Sequence, residues 1–200
     1  MKKYLLVSLM VLGFFEGFCQ DRFEVKKMGF SIAVPKNWIP MENEAVLKNI
    51  REYDFTEKQL KELLKSNNSS VNLVSFSKYD PKKVSGIIPT IKIRTYDNET
   101  NTITDFLNQV NKSTTNLKKA LTDFNFIDYP VITEISNQKV IKFTAQFTLK
   151  NEDVAYKIRS SSYYIPKKGY FISLNFIEEI GKEDNTLLFE ELVKSIQLTL

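Results

Sequence analysis

Histidine is absent from these 200 residues, and cysteine occurs once, at Cys19. The first absence excludes a Ser-His-Asp triad, a Cys-His pair and any histidine metal or haem ligand. The second excludes an internal disulfide and a cysteine zinc site. Glycine and proline are scarce, six of each, which leaves little room for long linkers. Charge of one sign is scarce too. The formal net charge is only +4, and the basic pairs at Lys26, Lys82, Lys118 and Lys167 are interleaved with acids. A nucleic-acid surface needs basic residues gathered on one face, so no nucleic-acid partner is expected.

What is present is aromatic and apolar. There are 15 Phe and 9 Tyr, and 42% of the residues are hydrophobic, enough for one core at this length. The chain opens MKKYLLVSLMVLGFFEGFC. Lys2 and Lys3 precede an apolar run that is too short for a comfortable membrane span. This pattern is that of a secretory signal peptide over residues 1–19, cleaved after Cys19. A lipidated Cys19 is the alternative, but Glu16 and Phe18 do not suit a lipobox. The expected mature chain is a single domain, 20–200. It would be exported to the periplasm or secreted, with no transmembrane segment after cleavage and no disulfide to stabilise it.

Alternating apolar residues mark a strand at Phe30, Ile32 and Val34. Trp38 follows Pro35 and precedes Pro40, and is read as a plug at the edge of the core. Residues 44–66 read as helical, with Thr56 and Gln59 as a capping box. Strands are expected over 71–79 and over 90–96, where Ile91 and Ile93 face one way and Lys92 and Arg94 the other. Thr102 and Asp105 cap a helix whose stripe is Ile103, Phe106, Leu107, Val110, Leu117 and Leu121, with a possible break at 113–116. Three late strands, 141–150, 154–165 and 170–177, are joined by short turns and therefore form antiparallel hairpins. The expected register pairs Phe147 with Tyr156, Phe143 with Ser160, Ser162 with Ile172 and Ser160 with Leu174. It leaves Lys142, Thr144, Gln146, Lys157, Arg159, Ser161, Ser173 and Asn175 on one partly wet face. Asp184 is expected to cap a last helix carrying Leu187, Leu188, Leu192, Val193 and Ile196.

The segment GFSIAVPKNW, Gly29 to Trp38, resembles the first strand of the PsbP-like family of small exported proteins. The late antiparallel strands and the terminal helix ending in SIQL, Ser195 to Leu198, resemble that family as well. The resemblance implies an α+β fold, an α/β/α sandwich around an antiparallel sheet. It carries over no catalytic set, and the histidines that contact metal in photosynthetic members have no counterpart here.

Candidate chemistry is sparse. Glu178 and Glu179, with Glu183 and Asp184, flank the last strand. They are the only acids placed for acid-base work, and their separation decides what they could do. Asp97-Asn98-Glu99 and Glu183-Asp184-Asn185 lack the spacing of an EF-hand and read as turns. Ser160-Ser161-Ser162 lies mid-strand without a base. No catalytic, cofactor or metal residue is assigned and no cofactor is expected. The expected function is a non-catalytic accessory or binding protein of the bacterial envelope, its partner an envelope or secreted protein. The polar sheet face and the loop 80–89 are the places for that partner. The alternative is a small-ligand-binding protein or a hydrolase using acids near Glu178–Asp184.

Overall fold

The computed structural model describes residues 21–42, 62, 70–151 and 153–199. The expected leader and nearly all of the expected helix 44–66 lie outside them. The described elements run β1 (Arg22–Val25), β2 (Phe30–Ala33), β3 (Ile39–Glu42), β4 (Ser70–Ser77), β5 (Thr90–Asp97) and α1 (Ile103–Ala120). Then come β6 (Thr122–Ile135), β7 (Gln138–Asn151), β8 (Val154–Lys167), β9 (Tyr170–Glu179), α2 (Thr186–Lys194) and β10 (Gln197–Leu198). They make an α+β fold with two antiparallel sheets. Seven strands are ordered β3-β4-β5-β9-β8-β7-β6, and three are ordered β1-β2-β10.

Strict alternation gives the large sheet two different faces. On one, Ile141 and Phe143 of β7 pack against Phe106 and Val110 of α1, with Phe126, Tyr164 and Phe171 around them. On the other, Ile91, Ile93, Tyr163, Ile165, Ile172, Leu174 and Phe176 join Phe23, Phe30 and Ile32 of the small sheet and Phe189 and Leu192 of α2. Trp38 is buried and meets Phe189 edge-to-face at 6.3 Å, so it is the core plug its position suggests.

The small sheet closes against the chain's end. Gly29 has φ of 57°, and a Cβ there would come 2.2 Å from the Thr199 carbonyl oxygen. Only glycine permits both that backbone and that approach. The contact is fixed by the Thr199 amide donating to the Gly29 carbonyl at 2.9 Å.

α1 is continuous, without the break its polar middle suggests. Ser113 Oγ donates to the Val110 carbonyl at 2.8 Å, and Thr114 Oγ1 donates to the Asn111 carbonyl at 2.8 Å. These hydroxyls are satisfied inside the helix instead of competing with it. The Asp105 amide donates to Thr102 Oγ1 at 3.1 Å, as the capping pattern requires. Leu117, however, is exposed. Lys118 sits over the Phe126 ring in its place, 5.5 Å from the centroid, a long stem covering apolar surface while its ammonium stays wet.

The register of the late hairpins differs from expectation. Asn151 pairs with Val154, so Phe147 faces Ile158 and Phe143 faces Ser162, a two-residue slip that keeps the faces. Lys167 pairs with Tyr170, so Ser162 faces Asn175 and Ser160 faces Ile177, three residues from the expected partners. An odd slip turns a strand over. Ser160, Ser162, Ser173 and Asn175 therefore share the α1 side of the sheet, and Lys142, Thr144, Gln146, Lys157, Arg159 and Ser161 lie on the opposite side. The expected strand ends leave four residues, Pro166 to Gly169, between β8 and β9, whereas the turn has two, Lys168 and Gly169, with Gly169 at φ 81°. Leu187 is likewise corrected. It is 77% exposed in the first turn of α2, and the unexpected Phe189 takes its place in the core.

β6 runs from Thr122 through Pro130 to Ile135. As an outer strand it carries three register irregularities against β7, together with Pro130 and the acids Asp123, Asp128 and Glu134. Such features blunt a free strand edge against pairing with another chain.

Candidate functional site

The acids of the 178–184 connector come together with the loop 80–89, but not as free carboxylates. Glu178 ends β9 opposite Arg159 of β8 and is 1% exposed. Its Oε1 accepts from Arg159 Nε at 2.8 Å and Nη2 at 2.5 Å. Its Oε2 accepts from the Asn185 amide at 3.0 Å and from Asn185 Nδ2 at 2.9 Å. Both oxygens are thus doubly engaged, which satisfies a buried carboxylate. Arg159 Nη2 also reaches Asp184 Oδ1 at 2.9 Å. Burial works to lower the Arg159 pKa, but the hydrogen bonds and charges of Glu178 and Asp184 outweigh it and raise it.

Glu183 is held from the other side. Lys78 Nζ pairs with its Oε2, Tyr79 Oη donates to its Oε1 at 2.5 Å, and Lys78 also donates to Asn185 Oδ1 at 2.9 Å. The hydrogen bond from Lys78, then that from Tyr79, holds the Glu183 carboxyl below its ordinary range. Asp184 is lowered by its hydrogen bonds from Thr186 and further by Arg159. Its Oδ1 accepts the Thr186 amide at 2.9 Å. It therefore sits one position before the helix cap, which is Asn185. Lys182 pairs with Glu179 at 2.8 Å.

A general acid at neutral pH needs a raised carboxyl pKa, and a general base needs a free lone pair near substrate. Glu183 and Asp184 shift the wrong way for an acid, and Glu178 has its lone pairs filled. Chemically the cluster is an ionic clip. It ties the connector and the start of α2 to β4 and β8.

The lowered pKa values carry a pH dependence with a definite sign. A carboxyl whose folded pKa lies below its unfolded value contributes stability above the unfolded pKa, and that stability is lost as pH falls through the folded one. The ordinary values are 4.5 for Glu183 and 3.8 for Asp184. Wild type should lose melting temperature as pH drops below these values. Glu183→Gln should show a shallower acid loss in a series of melts from pH 6 to pH 3. Parallel curves would contradict the pairing.

Hollows lie on the described surface. One of about 150 Å³ is lined by Tyr79, Val84, Ile87, Pro89, Glu179 and Lys182 among others, where loop 80–89 meets the connector. It is smaller than most small-molecule pockets, which begin at about 300 Å³. A second, open and about 650 Å³, lies between residues 98–103 and 166–169. Asn98 lines it as a turn former, its Oδ1 accepting the Thr100 amide at 3.1 Å, and Lys167 Nζ donates to the Thr199 carbonyl at 3.3 Å. A third, about 220 Å³, is bounded by Asp123, Gln146, Lys157 and Ile180 among others. Among the described residues no three metal-ligating side chains gather. No helix there is long and apolar enough to cross a membrane.

Sequence reasoning misses Arg159 as the partner of Glu178, which becomes visible only once the β8–β9 turn is closed at Lys167 and Tyr170. It also misses Lys78 and Tyr79, for which separations of 105 and 104 residues leave no local signal.

No family model and no curated protein sequence matches the chain. Solved structures do match. The cyanobacterial PsbP protein CyanoP from Synechocystis sp. PCC 6803 is similar at a TM-score of 0.52 and 12% identity, over 92% of this chain and 95% of that one. A protein from Bacteroides thetaiotaomicron VPI-5482 is similar at 0.50 and 11%, over 90% of this chain. This chain spans about half the length of that one, 49%. The chain has a PsbP-like fold.

Proposed function

We propose that the protein is an exported, non-catalytic accessory or binding protein of the bacterial envelope, built as an α/β/α sandwich with α1 and α2 on opposite faces of the large sheet. The observation that carries the reading is the engaged state of Glu178, Glu183 and Asp184, the acids best placed for catalysis. The leader-like residues 1–19 support export. Tyr79 and Val84, both exposed, line the small hollow beside the clip. They offer apolar contact area beside the clip, where an envelope or secreted protein would dock.

The test is a comparison of the wild-type chain with Glu183→Gln and Asp184→Asn on chromogenic ester, phosphate and glycoside substrates. The expected result is no turnover above buffer for any of the three. A wild-type rate lost in either variant would establish the hydrolase alternative instead.

A further inference from the structure

Among the described residues, two basic side chains on the large sheet face no acid across the neighbouring strands. Lys92 and Arg94 lie two apart on β5, so they share one face and stand about 7 Å apart by the strand rise. That face is the one α1 covers further along. Asn175 lies opposite Lys92 and Ser173 opposite Arg94 on β9. Ser162 and Tyr164 follow on β8. On the other flank Ser75 and Asn72 of β4 stand opposite the same two cations. Every cross-strand neighbour is a neutral hydrogen-bonding group.

The floor is ordered. Asn175 Oδ1 accepts from Ser160 Oγ at 2.9 Å, and its Nδ2 donates to Ser162 Oγ at 3.2 Å. Ser75, Ser162 and Ser173 are buried, and Tyr164 and Lys92 are partly buried. Arg94 Nε is buried with no hydrogen-bond partner. Burial, then the neighbouring Arg94 charge, lowers the Lys92 pKa. Two like charges and an unanswered donor held together on a partly dry surface cost energy in the free protein. An oxyanion would answer all three at once, since a guanidinium donor and an ammonium together suit a carboxylate or phosphate group.

We propose that Lys92 and Arg94, on the serine- and asparagine-lined half of the sheet face, bind the oxyanion group of an acidic ligand. This site is separate from the clip at Glu178 and does not depend on a partner docking there. The ligand's charged group is a carboxylate or a phosphate, and the two are told apart by probe.

The full chain is melted at pH 7 in 10 mM pyrophosphate, in 10 mM citrate, and in sodium chloride of matched ionic strength. The same melts are run on Lys92→Met, Lys92→Gln and, as a surface control, Lys150→Met. A bound anion raises the melting temperature by mass action, and the expected gain for wild type is about 3 °C or more with at least one oxyanion. The gain should vanish in both Lys92 variants and persist in Lys150→Met. A gain with pyrophosphate alone identifies phosphate, and with citrate alone carboxylate. In chloride, Lys92→Met should melt no lower than wild type, because it removes a repulsion. No wild-type gain, or the same gain in the Lys92 variants, overturns the proposal. A clear loss of stability by Lys92→Met in chloride also overturns it, since the ammonium would then have an acceptor within the chain.

Discussion

Arg159→Ala should lower stability by about 3 kcal/mol, because it strands a buried carboxylate. For a chain of this size that is a fall in melting temperature of about 6–12 °C. Glu178 is 1% exposed and receives two of its four hydrogen bonds from Arg159. Asn185 would still supply the other two. Two neutral donors do not replace a guanidinium, so the carboxylate would take up a proton or draw in water, and either costs energy. The double variant Arg159→Ala, Glu178→Ala should be much less damaged than the sum of the single variants, since removing both partners leaves no orphan. Additive losses would mean that Arg159 and Glu178 do not act as a pair.

Phe106→Ala should cost about 3–5 kcal/mol, the range for emptying an aromatic site in a packed core. Phe106 is the fully buried residue by which α1 meets the large sheet, with its ring 5.1 Å from that of Phe171. It packs with Ile141 and Phe143 across the sheet. α1 is tied to the large sheet mainly through this cluster, so the loss should appear as faster amide exchange in α1 before the rest of the fold. Leu117→Ala on the same helix should change stability by less than about 0.5 kcal/mol, because Leu117 is already exposed. Equal effects at the two positions would show that α1 turns a different side to the sheet, with Leu117 as deeply covered as Phe106.

The contrast between Phe106 and Leu117 also shows how far the sequence can be read. A helical stripe says which residues lie on one side, and Phe106, Val110 and Leu117 do. It does not say how far the partner surface extends beneath them. The strands pose a similar limit. Ile91 and Ile93 are separable from Lys92 and Arg94 by alternation alone, and the structure keeps that division. β8 is not separable in this way, because its covering changes along its length. Ile158 is buried on one side of the sheet, and Tyr163 and Ile165 are buried on the other. A strand that changes sides presents no single alternation, and its register then rests on turn length. Placing Ser162 opposite Ile172 where it faces Asn175, a slip of three residues, turns Ser173 and Asn175 over. It hides both the Arg159–Glu178 pair and the polar floor beneath Lys92. The contact of Lys78 with Glu183 has no local trace at all, since chain separation carries no pattern that composition or period can register.

The arrangement of the two faces rests on one pairing, Ser162 opposite Asn175. Cysteine cross-linking tests it directly, since Cys19 can be replaced by serine and no other cysteine is present. Ser162→Cys with Asn175→Cys places the two Cβ atoms within disulfide reach across adjacent strands, and Ser162→Cys with Ile172→Cys does not. Under mild oxidation in the folded state, the first pair is predicted to close and the second to stay reduced. Closure of the Ile172 pair with the Asn175 pair open would turn β9 over, separate Arg159 from Glu178, and contradict the two-faced sheet on which the clip and the anion site both stand.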